Sequence, residues 1–173
     1  MKFQAAAVEE FDSIRTFYWD LIDAMKEQAD VIGWKKGIYP TDEFLKESLA
    51  KGELYTLKDE KELCVCVILN SSCNEGYEGA PWSRDCLPED VWIPHALAVR
   101  PDLQGAGIGK RIVGEILTLA RKVGKKAVRL DILGTNQAAE RLYTRMGFRF
   151  VQTKDMFYED TGWTEYKIFE QNL

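Results

Sequence analysis

Histidine is nearly absent from this 173-residue sequence, in which His95 is the only one. The four cysteines, Cys64, Cys66, Cys73 and Cys86, lack the second close Cys or His pair that a zinc site needs, so no metal is expected. Cys64 and Cys66 are two residues apart in a strand-like run, which predicts two small core residues that face the same way. We expect all four to be free thiols.

Long apolar runs and an excess of basic residues are also lacking. The longest fully apolar run, Leu63–Leu69, is far too short to cross a bilayer, and the acidic residues among the first thirty positions do not fit a signal or transit peptide. The formal net charge is −5, and no basic stripe interleaved with aromatic residues occurs. We therefore expect a cytoplasmic protein with neither a membrane nor a nucleic acid as a partner.

The composition is that of one globular domain over residues 1–173, with 46% hydrophobic and 29% charged residues. Apolar periodicity predicts helices and strands joined by short turns, apart from one long polar loop at Ser71–Asp90. One strand–helix–strand crossover implies a parallel pair, and the hairpins imply antiparallel neighbours, so we predict an α+β fold whose mixed, mostly antiparallel sheet has helices on both faces. The predicted elements are strands over Lys2–Val8, Glu53–Lys58, Lys61–Asn70, Val91–Val99, Lys126–Leu133, Phe148–Thr153 and Thr164–Phe169, and helices over Phe11–Met25, Thr41–Gly52, Ile108–Val123 and Gln137–Met146.

A glycine-rich turn, Gln104-Gly-Ala-Gly-Ile-Gly-Lys110, joins a predicted strand to a predicted helix. Glycine lets a backbone approach a ligand closely, and the first turn of a helix offers free N–H groups and partial positive charge to phosphate oxygens. We interpret the turn as a pyrophosphate site; the alternative is a loop that only lets the helix pack closely on the strand. Lys110 occupies the third glycine position of a Rossmann fingerprint, and the Walker pattern is absent.

Two motifs in this order resemble those of the GCN5-related N-acetyltransferase (GNAT) superfamily. Gln104-x-x-Gly107-x-Gly109 resembles its acetyl-CoA signature, and Asn136-x-x-Ala-x-x-Leu-Tyr-x-x-x-Gly-Phe148 resembles a second element of the family. The resemblance implies a GNAT-type acyl-CoA N-acyltransferase fold, acetyl-CoA as the cofactor, and direct transfer of an acetyl group to a primary amine of a small molecule.

The resemblance also implies roles for individual residues. Tyr143 would protonate the departing thiolate, although its position on an apolar helix face also fits a core residue. Asn136 would flank the pantetheine, and it is equally a good helix N-cap. The residues implied to hold the cofactor lie on the strand end, the glycine turn and the later helix: Leu97, Ala98, Val99, Gln104, Gly105, Ala106, Gly107, Ile108, Gly109, Lys110, Asn136, Ala139 and Tyr143.

The strand segment His95-Ala-Leu-Ala-Val99 is similar to that of arylalkylamine N-acetyltransferases, in which a histidine at this place helps to remove the amine proton. In a regular strand His95 shares a face with Leu97, beside the expected acetyl site. Imidazole titrates in a useful range for a general base. The alternative is that His95 is only hydrogen-bonded within the sheet and that a water acts as the base.

The acceptor site is the least specified part of the sequence. In the family it forms from the connection after the first helix and from the loop before the cofactor strand, and aromatic residues with carboxylates suit a cation. Three other functions stay open: a non-catalytic CoA-binding or sensing domain, an acetyltransferase for a protein or peptide amine, and a partner-binding module built on the long loop. A homodimer is one assembly that the sequence allows. The candidate acceptor residues are Trp34, Tyr39, Glu75, Tyr77 and Trp82.

Overall fold

The computed structural model describes residues 1–28 and 32–173 and contains one seven-stranded sheet with the order β1-β2-β3-β4-β5-β7-β6. Of the neighbouring strands, β4 and β5 run parallel and all other pairs are antiparallel, which confirms the predicted mixed, mostly antiparallel α+β architecture. The strands are β1 (Lys2–Ala5), β2 (Leu54–Asp59), β3 (Glu62–Asn70), β4 (Val91–Val99), β5 (Ala127–Leu133), β6 (Arg149–Tyr158) and β7 (Gly162–Asn172), and the helices are α1 (Phe11–Ala24), α2 (Asp42–Ala50), α3 (Ile108–Lys122) and α4 (Gln137–Arg145).

The predicted bounds are closest in the middle of the chain and poorest at its ends. β4 has its predicted limits, whereas β1 stops at Ala5 because a 3-10 turn begins at Val8. β6 and β7 are several residues longer than predicted and form a long hairpin, in which Phe157 contacts Trp163 beyond the buried part of the sheet. In the described parts of the chain, no helix has the length and apolar character that a membrane span requires.

The two faces of the sheet are covered by different helices. Apolar residues of α3, among them Ile112 and Ile116, pack with Leu130 of β5 on one face, which we call the α3 face. On the other face, called the α1 face, Ile14 of α1 and Leu45 of α2 pack against the sheet. These five helical and strand side chains are almost completely buried, and each such aliphatic residue contributes about 1.5–3 kcal/mol to stability.

Cys64 and Cys66 are both buried, as predicted, but they do not face the same way. Leu57 of β2 is opposite Val65, whereas the next residue, Lys58, is opposite Leu63, so Cys64 is the extra residue of a β-bulge. The inserted residue reverses the pleat, and Cys64 therefore packs in the α3-face core while Cys66 packs in the α1-face core. All four cysteines are free.

A second bulge lies in β4 and has larger consequences. Ala98 is opposite Cys66 and His95 is opposite Ile68, so two residues of β4 span one residue of β3, and Ala96 has a φ of 49°. The prediction that His95 and Leu97 share one face of the strand is therefore wrong, because the extra residue turns their side chains to opposite sides of the sheet. His95 contacts Phe44 on the α1 face, and Leu97 packs into the α3-face core.

Helix α1 holds this bulge in place. The buried Tyr18 hydroxyl donates a hydrogen bond to the Ala96 carbonyl oxygen at 2.8 Å. A positive φ at a non-glycine residue costs on the order of 1–2 kcal/mol, and it persists only where the surroundings impose it. The Tyr18 hydrogen bond is one of the interactions that impose this conformation on Ala96, and it links α1 to the geometry of β4.

Substitution Tyr18→Phe should lower the free energy of unfolding by about 1–2 kcal/mol, because the buried Ala96 carbonyl loses its donor. Denaturant unfolding measures this change. Tyr55→Phe is the control, since Tyr55 is only half-buried and its hydroxyl loss should have little effect. Equal stability of the Tyr18→Phe variant and the unmodified protein would contradict the anchoring role.

Candidate active site

A cavity opens where β4 and β5 separate. The two parallel strands are paired only at Val91 with Ala127 and at Trp92 with Val128. Beyond these pairs Pro94 has no N–H to donate, and the bulge at Ala96 breaks the pleat. The second halves of the strands diverge and enclose a cavity of about 170 Å³.

The cavity gathers residues that the sequence places in separate motifs. Leu97, Asn136, Ala139 and Tyr143, all predicted to contact the cofactor, line it, and so does His95. Three predicted acceptor residues, from the segment before α2 and from the long loop, line it as well: Trp34, Tyr39 and Tyr77. The structure therefore brings predicted cofactor and acceptor residues together in one cavity, while the residues of the glycine turn lie outside its lining.

Tyr143 enters the cavity from α4, on the α3 face. Its ring is buried and makes an edge contact with Phe148 at 5.3 Å between centroids. Burial, and after it the charge of Asp131, raises the pKa of the Tyr143 phenol well above its usual value. The phenol is thus fully protonated at neutral pH and can act as a proton donor.

Asn136 caps α4 while it also lines the cavity. Its side-chain oxygen accepts a hydrogen bond from the Ala139 backbone N–H at 3.0 Å, which confirms the N-cap interpretation. The capping residue is at the same time part of the cavity lining. The two interpretations of this residue are therefore compatible.

The glycine turn leads from β4 into α3, and its first two glycines adopt the left-handed region. Gly105 has φ 78° and Gly107, the N-cap residue of α3, has φ 84°; a Cβ added to either would meet nothing within 4 Å. No side chain caps this helix end in the described structure, and the side chain of Gln104 donates to the Val99 carbonyl at 3.1 Å instead. The uncapped N–H groups and the open space above them fit a pyrophosphate.

The third glycine of the turn has another role. A Cβ on Gly109 would lie 3.2 Å from a methyl group of Leu142 on α4. Gly109 therefore allows α3 and α4 to approach each other closely. The packing interpretation holds for this residue, and the ligand interpretation fits Gly105 and Gly107.

Asp131, in the middle of β5, also lines the cavity and lies opposite Ile168 of β7. The Tyr158 hydroxyl donates a hydrogen bond to its Oδ2, and the Tyr77 hydroxyl is close enough to stabilise its anion. The effect of burial on the pKa nevertheless outweighs that of the two hydroxyl groups, and the pKa of the Asp131 carboxyl is raised to about 6. Sequence reasoning missed this residue; a carboxylate inside a buried apolar strand was the available signal.

The C-terminal hairpin completes the same wall of the cavity, and its residues were also missed. Tyr158 and Tyr166 contact each other edge-on at 4.9 Å between ring centroids, and the buried Asp160 lies between them in the chain. All three line the cavity. No sequence motif marks them, because only the order β5-β7-β6 in the sheet brings this hairpin beside β5.

His95 lies on the cavity wall but is bound to the neighbouring strand. Its Nε2 is 2.9 Å from Asn70 Oδ1, an oxygen that also accepts the Ser72 backbone N–H, while the Asn70 amide group donates to Glu53. This amide orientation makes Nε2 the protonated nitrogen of the neutral ring. Burial, as the main cause, lowers the pKa of His95 to about 4.

Two predicted acceptor residues do not line the cavity. Glu75 is exposed on a 3-10 turn in the long loop. Trp82 stacks on the guanidinium of Arg129, with the Cζ atom 4.0 Å from the ring centroid, and Arg129 is in turn paired with the buried Glu170. Trp82 therefore fastens the loop to the sheet.

Comparison with known proteins identifies the family. The model of the acetyltransferase (GNAT) family matches residues 26–148, well over half of the chain. The chain belongs to this family, which confirms the resemblance seen in its motifs.

Among curated relatives, an uncharacterised N-acetyltransferase YesJ of Bacillus subtilis is 30% identical over 104 residues, 60% of this chain and 57% of that protein. N-alpha-acetyltransferase RimI of Mycobacterium tuberculosis is 36% identical over 74 residues, 43% of this chain and 45% of its own length. The matches thus span about half of these relatives.

The fold is shared with solved structures at low identity. A GNAT-family acetyltransferase of Streptococcus agalactiae superposes with a TM-score of 0.78 at 13% identity, covering 99% of this chain and 95% of the other. The protein yncA of Salmonella typhimurium, solved with its cofactor acetyl-CoA, gives a TM-score of 0.70 at 17% identity, covering 99% and 93%.

The pyrophosphate assignment predicts a charge effect at Gly107. Asn and Asp are the side chains that best tolerate a positive φ, so Gly107→Asn and Gly107→Asp should both fold. Both should weaken CoA binding, and Asp should weaken it about fivefold to tenfold more than Asn, because only Asp adds a negative charge beside the phosphates. Isothermal titration calorimetry with CoA measures the difference.

Gly124→Asp is the matched control, since Gly124 follows α3 at its other end, with φ 80° and open space around its Cα. Its CoA affinity should equal that of the unmodified protein. Equal CoA affinities of the two Gly107 variants would contradict the assignment of the pyrophosphate site to this turn.

Proposed function

We propose that the protein is an N-acetyltransferase that transfers an acetyl group from acetyl-CoA to a primary amine of a small molecule by direct transfer. The observation that carries the proposal is the arrangement of the cavity. A protonated phenol, Tyr143, lies on one side of the divergent strands, and an aromatic and acidic wall that suits an amine lies on the other.

The chain offers a consistent set of contacts to the cofactor. The uncapped start of α3 at Gly105 and Gly107 would hold the pyrophosphate, and the backbone of Leu97–Val99 beside the cavity would hold the pantetheine arm. Asn136 and Ala139 would flank that arm from α4. When bound, acetyl-CoA supplies the thioester carbon that the amine attacks.

The side chains around the cavity then hold and move protons. Tyr143 donates its phenolic proton to the leaving sulfur, which raises the rate because a thiol leaves more readily than a free thiolate in a desolvated site. Backbone N–H groups near the β4 bulge stabilise the negative charge that develops on the carbonyl oxygen.

A small acceptor fits the cavity better than a folded protein surface does. A cavity of about 170 Å³ admits a small molecule or a single side chain but no folded surface. The likeness to RimI, named an N-alpha-acetyltransferase, favours a peptide amine as the second candidate. A peptide would have to insert its terminal residue alone.

Tyr143→Phe should lower kcat for CoA release on the order of 100-fold with every accepted amine, because only the proton source is lost. Free thiol detection with 5,5′-dithiobis(2-nitrobenzoate) measures CoA release across a panel of amines and short peptides. CoA affinity and the melting temperature should stay unchanged, since the ring and its contact with Phe148 remain. Full activity of this variant would return Tyr143 to a purely structural role.

The placement of His95 predicts a structural role for its ring. With its pKa near 4, His95 is already neutral above pH 5, so its titration would shape the rate only in more acidic solution. Glutamine keeps a donor toward Asn70, so His95→Gln should leave the pH profile of kcat/KM above pH 5 unshifted and lower the melting temperature. A large loss of kcat that recovers at alkaline pH would identify His95 as the base.

A further inference from the structure

The acceptor side of the cavity carries two carboxylates and no lysine or arginine among its described lining residues. The two carboxylates are those of Asp131 and Asp160. Lys35 is near enough to act on Asp160, but no described lysine or arginine stabilises the Asp131 anion. Any ligand in this cavity therefore meets a negative field centred on Asp131.

Asp131 is held as a carboxylate that lacks a counter-ion. Its neighbours Leu130 and Ile132 point into the α3-face core, so the carboxylate points to the other side, where it accepts a hydrogen bond from Tyr158. Neutral hydroxyls orient this carboxylate without neutralising it. A buried carboxylate is normally paired with a cation, and here the space beside it is the cavity.

Aromatic rings surround the same space. Tyr158 and Tyr166 contact each other, Tyr77 is buried against this wall, and Trp34 contacts Tyr39 at 6.0 Å between centroids. Ring faces attract ammonium groups, and they attract them more strongly where water is excluded. The rings and the carboxylate thus favour the same kind of ligand.

We infer that the acceptor is a small alkylammonium without a carboxylate of its own, and that Asp131 binds its nitrogen among the rings of Tyr77, Tyr158 and Tyr166. The inference rests on the proposed acetyltransferase function and narrows its substrate class. An amino acid would bring its carboxylate beside Asp131 and Asp160 with no lining lysine or arginine to receive it. Uncharged analogues would leave the Asp131 carboxylate unpaired.

The same contact supplies a route for protons. One proton passes from the ammonium nitrogen to an Asp131 oxygen, which leaves an amine lone pair and a neutral carboxylic acid in place of two buried charges. The nitrogen loses a second proton as the amide forms, and this proton restores the one that Tyr143 gives to the sulfur. Asp131 then releases its proton to solvent, so the overall reaction yields one proton for each ammonium consumed.

Two matched series of compounds test the charge preference on the unmodified protein. The aliphatic series is 1-pentylamine, L-norleucine and 1-pentanol; the aryl series is 2-phenylethylamine, L-phenylalanine and 2-phenylethanol. Within each series the skeleton is shared, the amino acid adds a carboxylate, and the alcohol replaces the ammonium. Calorimetric titration into the CoA-bound protein gives the affinities without any reaction.

The amine of at least one series should bind on the order of 10- to 100-fold more tightly than its amino acid and its alcohol, because the alcohol gives Asp131 no charged hydrogen bond and the amino acid brings a second carboxylate beside it. In Asp131→Asn this preference for the amine over the alcohol should vanish while the affinity for the alcohol stays the same. Tyr158→Phe, which removes a hydrogen bond and keeps the charge, should retain most of the preference.

The pH dependence gives a second reading. Asp131 binds an ammonium only when ionised, so kcat/KM for the amine should rise with pH through an ionisation near pH 6, and Asp131→Asn should lack this limb. Retention of the limb in that variant would assign it to another group. The titratable groups that face Asp131 are Tyr39 before α2, Tyr77 of the long loop, His95 of β4, Tyr143 of α4, and Tyr158, Asp160 and Tyr166 of the C-terminal hairpin.

The outcomes separate the inference from the proposed function. Equal use of the amine and the amino acid, with CoA released from both, would overturn the inference and leave the acetyltransferase standing. Equal losses of amine and alcohol affinity in Asp131→Asn would likewise reduce Asp131 to a structural residue. Failure of CoA to bind and of any amine to release it would instead overturn the proposed function.

Discussion

The separation of β4 from β5 is the constraint on which the site depends. Two paired residues hold the parallel strands together, and after them Pro94 and the left-handed Ala96 make continued pairing impossible. Backbone groups freed in this way need other partners, and the Tyr18 and Tyr39 hydroxyls supply them at Ala96. The break in the sheet thus creates the cavity, and the two tyrosines satisfy the backbone groups of Ala96 beside it.

The same break gives the cavity two chemically different walls. Leu97 turns toward the α3 face, where Tyr143 lies, and Asp131 lies on the opposite side with the tyrosines of the hairpin. Burial raises the pKa of both Tyr143 and Asp131. The Tyr143 phenol consequently stays protonated at neutral pH, whereas the Asp131 carboxyl, with a pKa of about 6, is largely ionised there.

Local features of the site could be predicted, and features that depend on the sheet order could not. The turn at Gly105–Gly107 and the cap at Asn136 are visible because neighbouring residues define them. Tyr158 and Tyr166 approach Asp131 only because β7 follows β5 in the sheet, and no spacing along the chain reveals this order. The face of His95 was wrong for another reason: a bulge at an alanine carries no glycine to mark it.

Two carboxylates of the same sheet, Glu170 and Asp131, differ in the groups that surround them, and this difference separates a structural role from an available binding group. Burial alone would raise the pKa of Glu170, but hydrogen bonds from Ser83, Arg149 and Arg129 lower it. The Glu170 carboxylate uses these bonds to attach the long loop to the sheet. Asp131 has tyrosine hydroxyls in place of arginines and keeps a raised pKa. An arginine beside Asp131 would lower that pKa and fill the space that a substrate ammonium needs. Leaving this carboxylate without a cation costs stability, and it is this incomplete pairing that makes the residue available to a ligand.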